Sequence, residues 1–164
     1  MIILGIDPGF GRMGSAVLKK EKGKEELIYS HCLVSDKKLF HEKRLLSLGE
    51  KLEKIIKKYK PDIIAIEKLF FFKNHKTIIG VAEARGVVLY LAGLKNIPVK
   101  EFTPLEIKMA LTGYGRAEKI QVQKMVKAIL NIEKMPKSDD EIDAMAIAVT
   151  CSSGLKKKDI HRNF

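Results

Sequence analysis

Met1 to Ile6 is an unbroken apolar run, and this start limits more than any other feature how the chain can fold. It ends on one acid, Asp7, with Pro8 and Gly9 directly behind it. An apolar, β-branched run bounded by turn residues reads as a strand buried on both faces. A carboxylate is costly to place at the end of such a strand. Asp7 therefore either caps its own Pro-Gly turn through an Asx hydrogen bond or has another task.

The rest of the chain reads as further strands and helices around that first one. Gly14 to Lys19 and Leu27 to Val34 are expected strands, with the polar run "KKEKGKEE" between them as the hairpin turn. His41 to Tyr59 is expected to be a helix: Leu45, Leu48, Leu52, Ile55 and Tyr59 recur at three- and four-residue steps. Lysines 51, 54, 57 and 58 fill its other face and read as a solvated surface. Pro61 stops it, and Ile63 to Ile66 is a second buried strand, ending on Glu67. Thr77 to Leu94 is apolar and rich in Gly and Ala, suited to close packing in the core or against another subunit. Val99 to Thr103 is a short strand, and Pro104 opens a helix to about Leu111. Ala117 to Leu130 resumes helical spacing, and Ser138 with Glu141 stands in capping-box register for a helix beginning at Asp139. Three strands followed by alternating helix and strand predict an α/β fold with a mixed sheet.

A length of 164 residues suits one domain, expected over 1–153, with a basic, frayed tail over 154–164. Cys32 and Cys151 are unpatterned, so neither a disulfide framework nor a zinc knuckle is expected. With no signal-peptide pattern and no membrane-length apolar stretch, the expected location is the cytoplasm. The net charge of +11 fits a lysine-rich surface of the heat-adapted kind, or a polyanionic partner such as a nucleic acid.

Four acids stand out by position. Asp7 and Glu67 end strands that read as parallel, and ligands of open α/β sheets collect at the carboxyl ends of strands. Asp140 and Asp143 are three apart on the last helix and share a face. If that helix crosses the strand ends, all four converge. Clustered carboxylates repel unless a cation lies between them. Hard oxygen donors without His or Cys select Mg²⁺ or Mn²⁺, and a pair of such ions suits phosphodiester hydrolysis. Simpler readings stand beside this one. Asp140 suits the first turn of a helix for its dipole, and Glu67 could pair with Lys68. Gly113, Gly115 and Arg116 precede a helix start, where free N–H groups favour a phosphate. His31, His41, His75 and His161 have no partner acid at a catalytic spacing and are given no role.

The segments "IILGIDPG", "IIAIEKLFFFKN", "EARGVV", "GRAEKIQVQKMV" and "DEIDAMAIA" occur in this order and spacing. In them the chain resembles the RuvC family of bacterial Holliday junction resolvases, from Ile2 to about Cys151. The resemblance implies a ribonuclease H-like fold, a five-stranded mixed sheet flanked by helices. It also implies a homodimeric, metal-dependent DNA endonuclease that makes two symmetric nicks in a four-way junction during recombination and repair. Asp7, Glu67, Asp140 and Asp143 would be the catalytic, metal-binding acids, with two Mg²⁺ (or Mn²⁺) ions per site. Phe70 matches the aromatic that stacks on a junction base, with Phe71 beside it and Lys73 leading into the loop. Lys108 and Lys119 match lysines near the scissile phosphate, and Arg116 joins the DNA-binding set. The helix around "VAEARGVV" would form the dimer interface, and the branch-migration proteins RuvA and RuvB are the implied partners. The turn "GFGRMG" lacks the Ser associated with the family. Rival readings are a ribonuclease H-like nuclease acting on RNA, an actin-like phosphotransferase, for which the chain is too short, and a non-catalytic junction-binding module.

Overall fold

β1 (Ile2–Asp7) lies at the centre of a five-stranded sheet with the order β3-β2-β1-β4-β5. β2 (Arg12–Glu21) runs antiparallel beside it and pairs in turn with β3 (Lys24–Val34). β4 (Ile63–Glu67) and β5 (Val99–Phe102) continue the sheet in parallel on the other side. The structure is a computed structural model, and it describes residues 1–69 and 75–155.

Both faces of the sheet are covered, as the apolar strands require. On one face Leu4, Ile6, Val17, Ile64 and Ile66 pack against α1 (His41–Tyr59) and α2 (His75–Leu94). On the other, Ile3, Leu18, Ile63, Ala65 and Phe102 pack against α3 (Pro104–Thr112), α4 (Lys119–Ile129) and α5 (Asp139–Gly154). Among the described residues no helix is long and apolar enough to cross a membrane.

Three local expectations are corrected. The polar run "KKEKGKEE" is not a loop. Lys22 and Gly23 alone have positive φ and make the turn, and the flanking residues extend the ladder through the opposite-charge pairs Lys19–Glu26, Lys20–Glu25 and Glu21–Lys24. A two-residue turn with positive φ matches the strand twist; Lys19 pairs with Glu21 along β2, while Lys20 and Glu25 are both held by Ser152 of α5. Ser138 and Glu141 form no capping box: Ser138 engages Arg12 and Asp140, while Glu141 accepts a hydrogen bond from Ser30. Boxes form instead at α3, between Thr103 and Glu106, and at α4, between Glu118 and Gln121. Third, α4 begins at Lys119 rather than Ala117, and Ala117 is buried ahead of it.

The contact between α5 and β1–β2 sets the position of everything at the carboxyl end of the sheet. A Cβ on Gly5 would lie 2.3 Å from the Ala144 carbonyl oxygen and 2.7 Å from the Ala148 Cβ. One on Gly14 would lie 1.8 Å from the Asp140 carbonyl oxygen. The helix backbone thus rests directly on the strands, a distance only glycine permits. Gly14→Ala is expected to lower the unfolding free energy by about 2–3 kcal/mol in urea titrations, through overpacking. An unchanged midpoint would show that α5 is free to lift off.

Candidate active site

Asp7 ends β1 and is paired in register with Gly14, against which the first turn of α5 rests. Asp140 on that turn is thereby brought beside Asp7. Glu67 ends β4, the parallel neighbour of β1, and Asp143 lies one turn further along α5. The four acids share one end of the sheet and act on one another. Burial, then the charges of Glu67, Asp143 and Asp140, raise the Asp7 pKa to about 7. Burial and the charge of Asp143 raise Glu67. Asp143 is raised mainly by burial, with Lys119 opposing.

No Asx cap explains Asp7: among the described residues no donor hydrogen-bonds its carboxylate. The turn behind it is held from outside instead. The Ser35 hydroxyl donates to the Phe10 carbonyl at 2.9 Å, and the Ser35 N–H donates to Gly11. The Phe10 ring stacks on His41, centroids 4.4 Å apart, and the Arg44 guanidinium lies 4.0 Å from its centre. His41 reaches Glu83 of α2 at 2.6 Å. His41, given no role from sequence, thus helps to secure the turn.

The expected convergence of the acids is only partial. Among the described residues, no three His, Cys, Asp or Glu side chains meet closely enough to hold a metal ion as they stand. The physical reason is that two basic side chains draw acids aside. Arg12 Nε donates to Asp140 Oδ2 at 2.7 Å, and Arg12 Nη2 donates to the Ser138 hydroxyl, which itself donates to Asp140. Burial pushes Asp140 up, but the Arg12 and Ser138 hydrogen bonds outweigh it and hold the carboxyl below its usual range. Lys119 Nζ donates to Asp143 at 3.1 Å and lies 3.4 Å from Asp139. The donor set is nevertheless hard and anionic, as a magnesium-class ion requires. Cys32, 3.5 Å from Asp140, keeps its thiol proton because burial raises its pKa.

A cleft of about 300 Å³ opens beside these acids, with Glu67, Asp143, Lys108 and Lys119 in its wall. Arg116 lies outside it, exposed on the loop before α4. The helix start expected to take a phosphate carries its own acid: Glu118 is the N-cap, and its N–H donates to Gln121 Oε1 at 2.8 Å. Phe70, Phe71 and Lys73 fall outside the described residues.

Arg12 is the residue that sequence reading misses. Its only signal is a basic residue just past the glycine turn, while the contact it makes spans 128 positions.

Asp7 is protonated in the folded protein up to about pH 7, whereas its ordinary pKa is 3.8. The folded state holds the extra proton between those values, so stability falls as pH rises through that window. Asp7→Asn keeps the neutral form at every pH. In chelator-containing buffer it is expected to raise Tm by roughly 5 °C at pH 7.5, with the gain shrinking toward pH 4. An unchanged or lower Tm at pH 7.5 contradicts the electrostatic account.

The sequence profile described as crossover junction endodeoxyribonuclease RuvC matches residues 3–151. A protein of that name from Petrotoga mobilis is 51% identical over 148 residues, 90% of this chain and 91% of the relative. One from Thermosipho melanesiensis is 48% identical, covering 90% of this chain and 94% of its own. Among solved structures, Thermus thermophilus RuvC in complex with a Holliday junction substrate superposes with a TM-score of 0.87 at 29% identity, covering 93% of each chain. The strand order and the mixed sheet covered on both faces are those of a ribonuclease H-like fold. On these grounds the chain belongs to the RuvC family of crossover junction endodeoxyribonucleases.

Proposed function

We propose that this chain resolves four-way DNA junctions by hydrolysing one phosphodiester in each of two symmetry-related strands. The observation that carries the reading is the acid cluster at the end of β1 and β4, facing a cleft walled by Lys108 and Lys119. A basic exterior draws the polyanion in, and a small anionic recess within it prepares the cut.

Asp7, Glu67, Asp140 and Asp143 are the proposed catalytic acids. Bound between them, Mg²⁺ or Mn²⁺ ions, two per site, would activate the attacking water and stabilise the leaving oxygen. The protein residues have separate tasks. Asp7 and Glu67, half-buried at strand ends, provide carboxyl oxygens in fixed positions, where a bound cation would take the place of the proton that burial favours. Lys119, whose ammonium already sits on Asp143, is placed to steady charge on the phosphate, and Lys108 lies in the same cleft wall. Arg12 and Ser138 hold Asp140 ionised. Phe70, Phe71 and Lys73 are proposed to meet the junction bases and backbone, and Arg116 to contact the DNA flank.

Two symmetric cuts call for two sites, and α2 supports a dimer. Ile79, Ala82, Gly86, Tyr90 and Leu94 form an exposed stripe without charge, with Ile79 65%, Tyr90 67% and Leu94 56% exposed. A Cβ on Gly86 would meet nothing within 4 Å. A helix apolar on its outer side is best satisfied by a second copy. RuvA and RuvB are the proposed branch-migration partners, and the nuclease unit is taken as residues 1–153.

The deciding experiment compares a synthetic four-way junction with a linear duplex of the same sequence in Mg²⁺. Fast cutting of the junction alone is expected, and equal rates would refute the resolvase reading. Asp7→Asn should abolish cutting while junction binding persists in gel shifts; retained cutting would remove Asp7 from the mechanism. Gly86→Glu, at the centre of the stripe, should shift the protein to monomer in sedimentation, and a persistent dimer would place the interface elsewhere.

A further inference from the structure

β3 is the terminal strand of the sheet, with alternate backbone N–H and C=O groups turned away from β2. Beside this edge, between β3 and α1, runs a groove of about 470 Å³. Its floor is apolar and aromatic: Leu33, Ile55, and the Tyr29 and Tyr59 rings with centroids 5.3 Å apart. Its rim carries Lys51, Lys54 and Lys58 at helical spacing along α1, and no carboxylate is among the lining residues. Lys51 Nζ donates to the Val34 carbonyl at 2.6 Å, so one lysine already occupies an outward hydrogen-bonding position of the edge. Lys58 lies 4.9 Å from the Tyr59 ring centre. On the same helix Glu53 is engaged by Lys57 and Lys95 instead, and Glu50 stands one turn before Lys54 without lining the groove.

We propose that this edge takes up an extended, acidic segment of a partner protein as a sixth strand. The backbone edge would supply main-chain hydrogen bonds, and side chains alternating along an added strand would fall in turn over the tyrosine floor and outward. Acidic residues of that segment answer the three lysines, with Lys51 exchanging the Val34 carbonyl for a carboxylate as an incoming N–H takes its place. A second copy pairing edge to edge through its own β3 would set the same three lysines against these three. A DNA backbone would use the lysines but neither the strand edge nor the apolar floor. The groove shares no lining residue with the acid-lined cleft, and the inference does not depend on the nuclease reading.

The probe is a fluorescein-labelled peptide of about ten residues, alternating Asp or Glu with Val or Tyr, titrated into the full chain. Saturable binding is expected, with amide NMR shifts concentrated on residues 28–34 and 51–59. The triple variant Lys51→Glu, Lys54→Glu, Lys58→Glu should weaken binding at least tenfold, roughly the effect of like charges brought together. Its junction cleavage should be unchanged, which also reports that it is folded. On the wild-type protein, the same peptide with alternate amides N-methylated should fail to bind, because it cannot pair with the strand. The proposal is overturned by absent binding, by equal binding of the N-methylated peptide, or by undiminished binding to the triple variant. It is likewise overturned if a short DNA duplex shifts the same amides and displaces the peptide, which would assign the lysines to DNA.

Discussion

The backbone contact between α5 and the β1–β2 pair governs the rest of the molecule. Gly5 and Gly14 remove the two Cβ atoms that would hold the helix away from the sheet. The sheet's carboxyl end then acquires a helix whose first turn carries acids, and β1 ends on an acid at the same level. Like charges gathered and partly buried in this way are unfavourable alone. The packing of Ala144, Met145, Ile147 and Ala148 against Ile3, Ala16 and Leu18 supplies the apolar burial that holds them together.

The surrounding cations fit that constraint. Arg12 from β2 takes Asp140, and Lys119 from the start of α4 takes Asp143 and Asp139, so the acids of α5 are anchored by different parts of the chain. Asp7 and Glu67 have no such ion pair among the described residues, and burial raises both, as it raises Asp143 against the opposing Lys119. The site therefore divides into an ion-paired half on α5 and a strand-end half without such pairs, where the protonated carboxyl is favoured.

Much of the fold was legible because periodicity and burial coincide. The apolar steps of His41 to Tyr59 delimit α1 to the residue, and the apolar run of β1 belongs to a central strand covered on both faces. The hairpin was legible as two strands and a turn but its full length was not, since the polar ends of β2 and β3 have turn-like composition while Ser152 of α5 holds Lys20 and Glu25. The cap of α5 was misread because Ser138 has a stronger claim on it, from Arg12, than its own helix makes. For the site, strand ends and helix spacing pick out the four acids from sequence. Their partial separation by Arg12 and Lys119 depends on register and side-chain reach, which local pattern does not encode.

The turn behind Asp7 has a consequence for ligand binding. Gly9 and Gly11 would leave it among the most mobile segments of an unfolded or loosely held chain. Ser35 and Arg44 pin its carbonyl and ring from one side, and His41 with Glu83 ties it toward α2. The loss of conformational entropy at this turn thus occurs during folding rather than during encounter with substrate. The affinity available at the end of β1 is not diminished by ordering the backbone there, and the acid meets an incoming group in a conformation already selected.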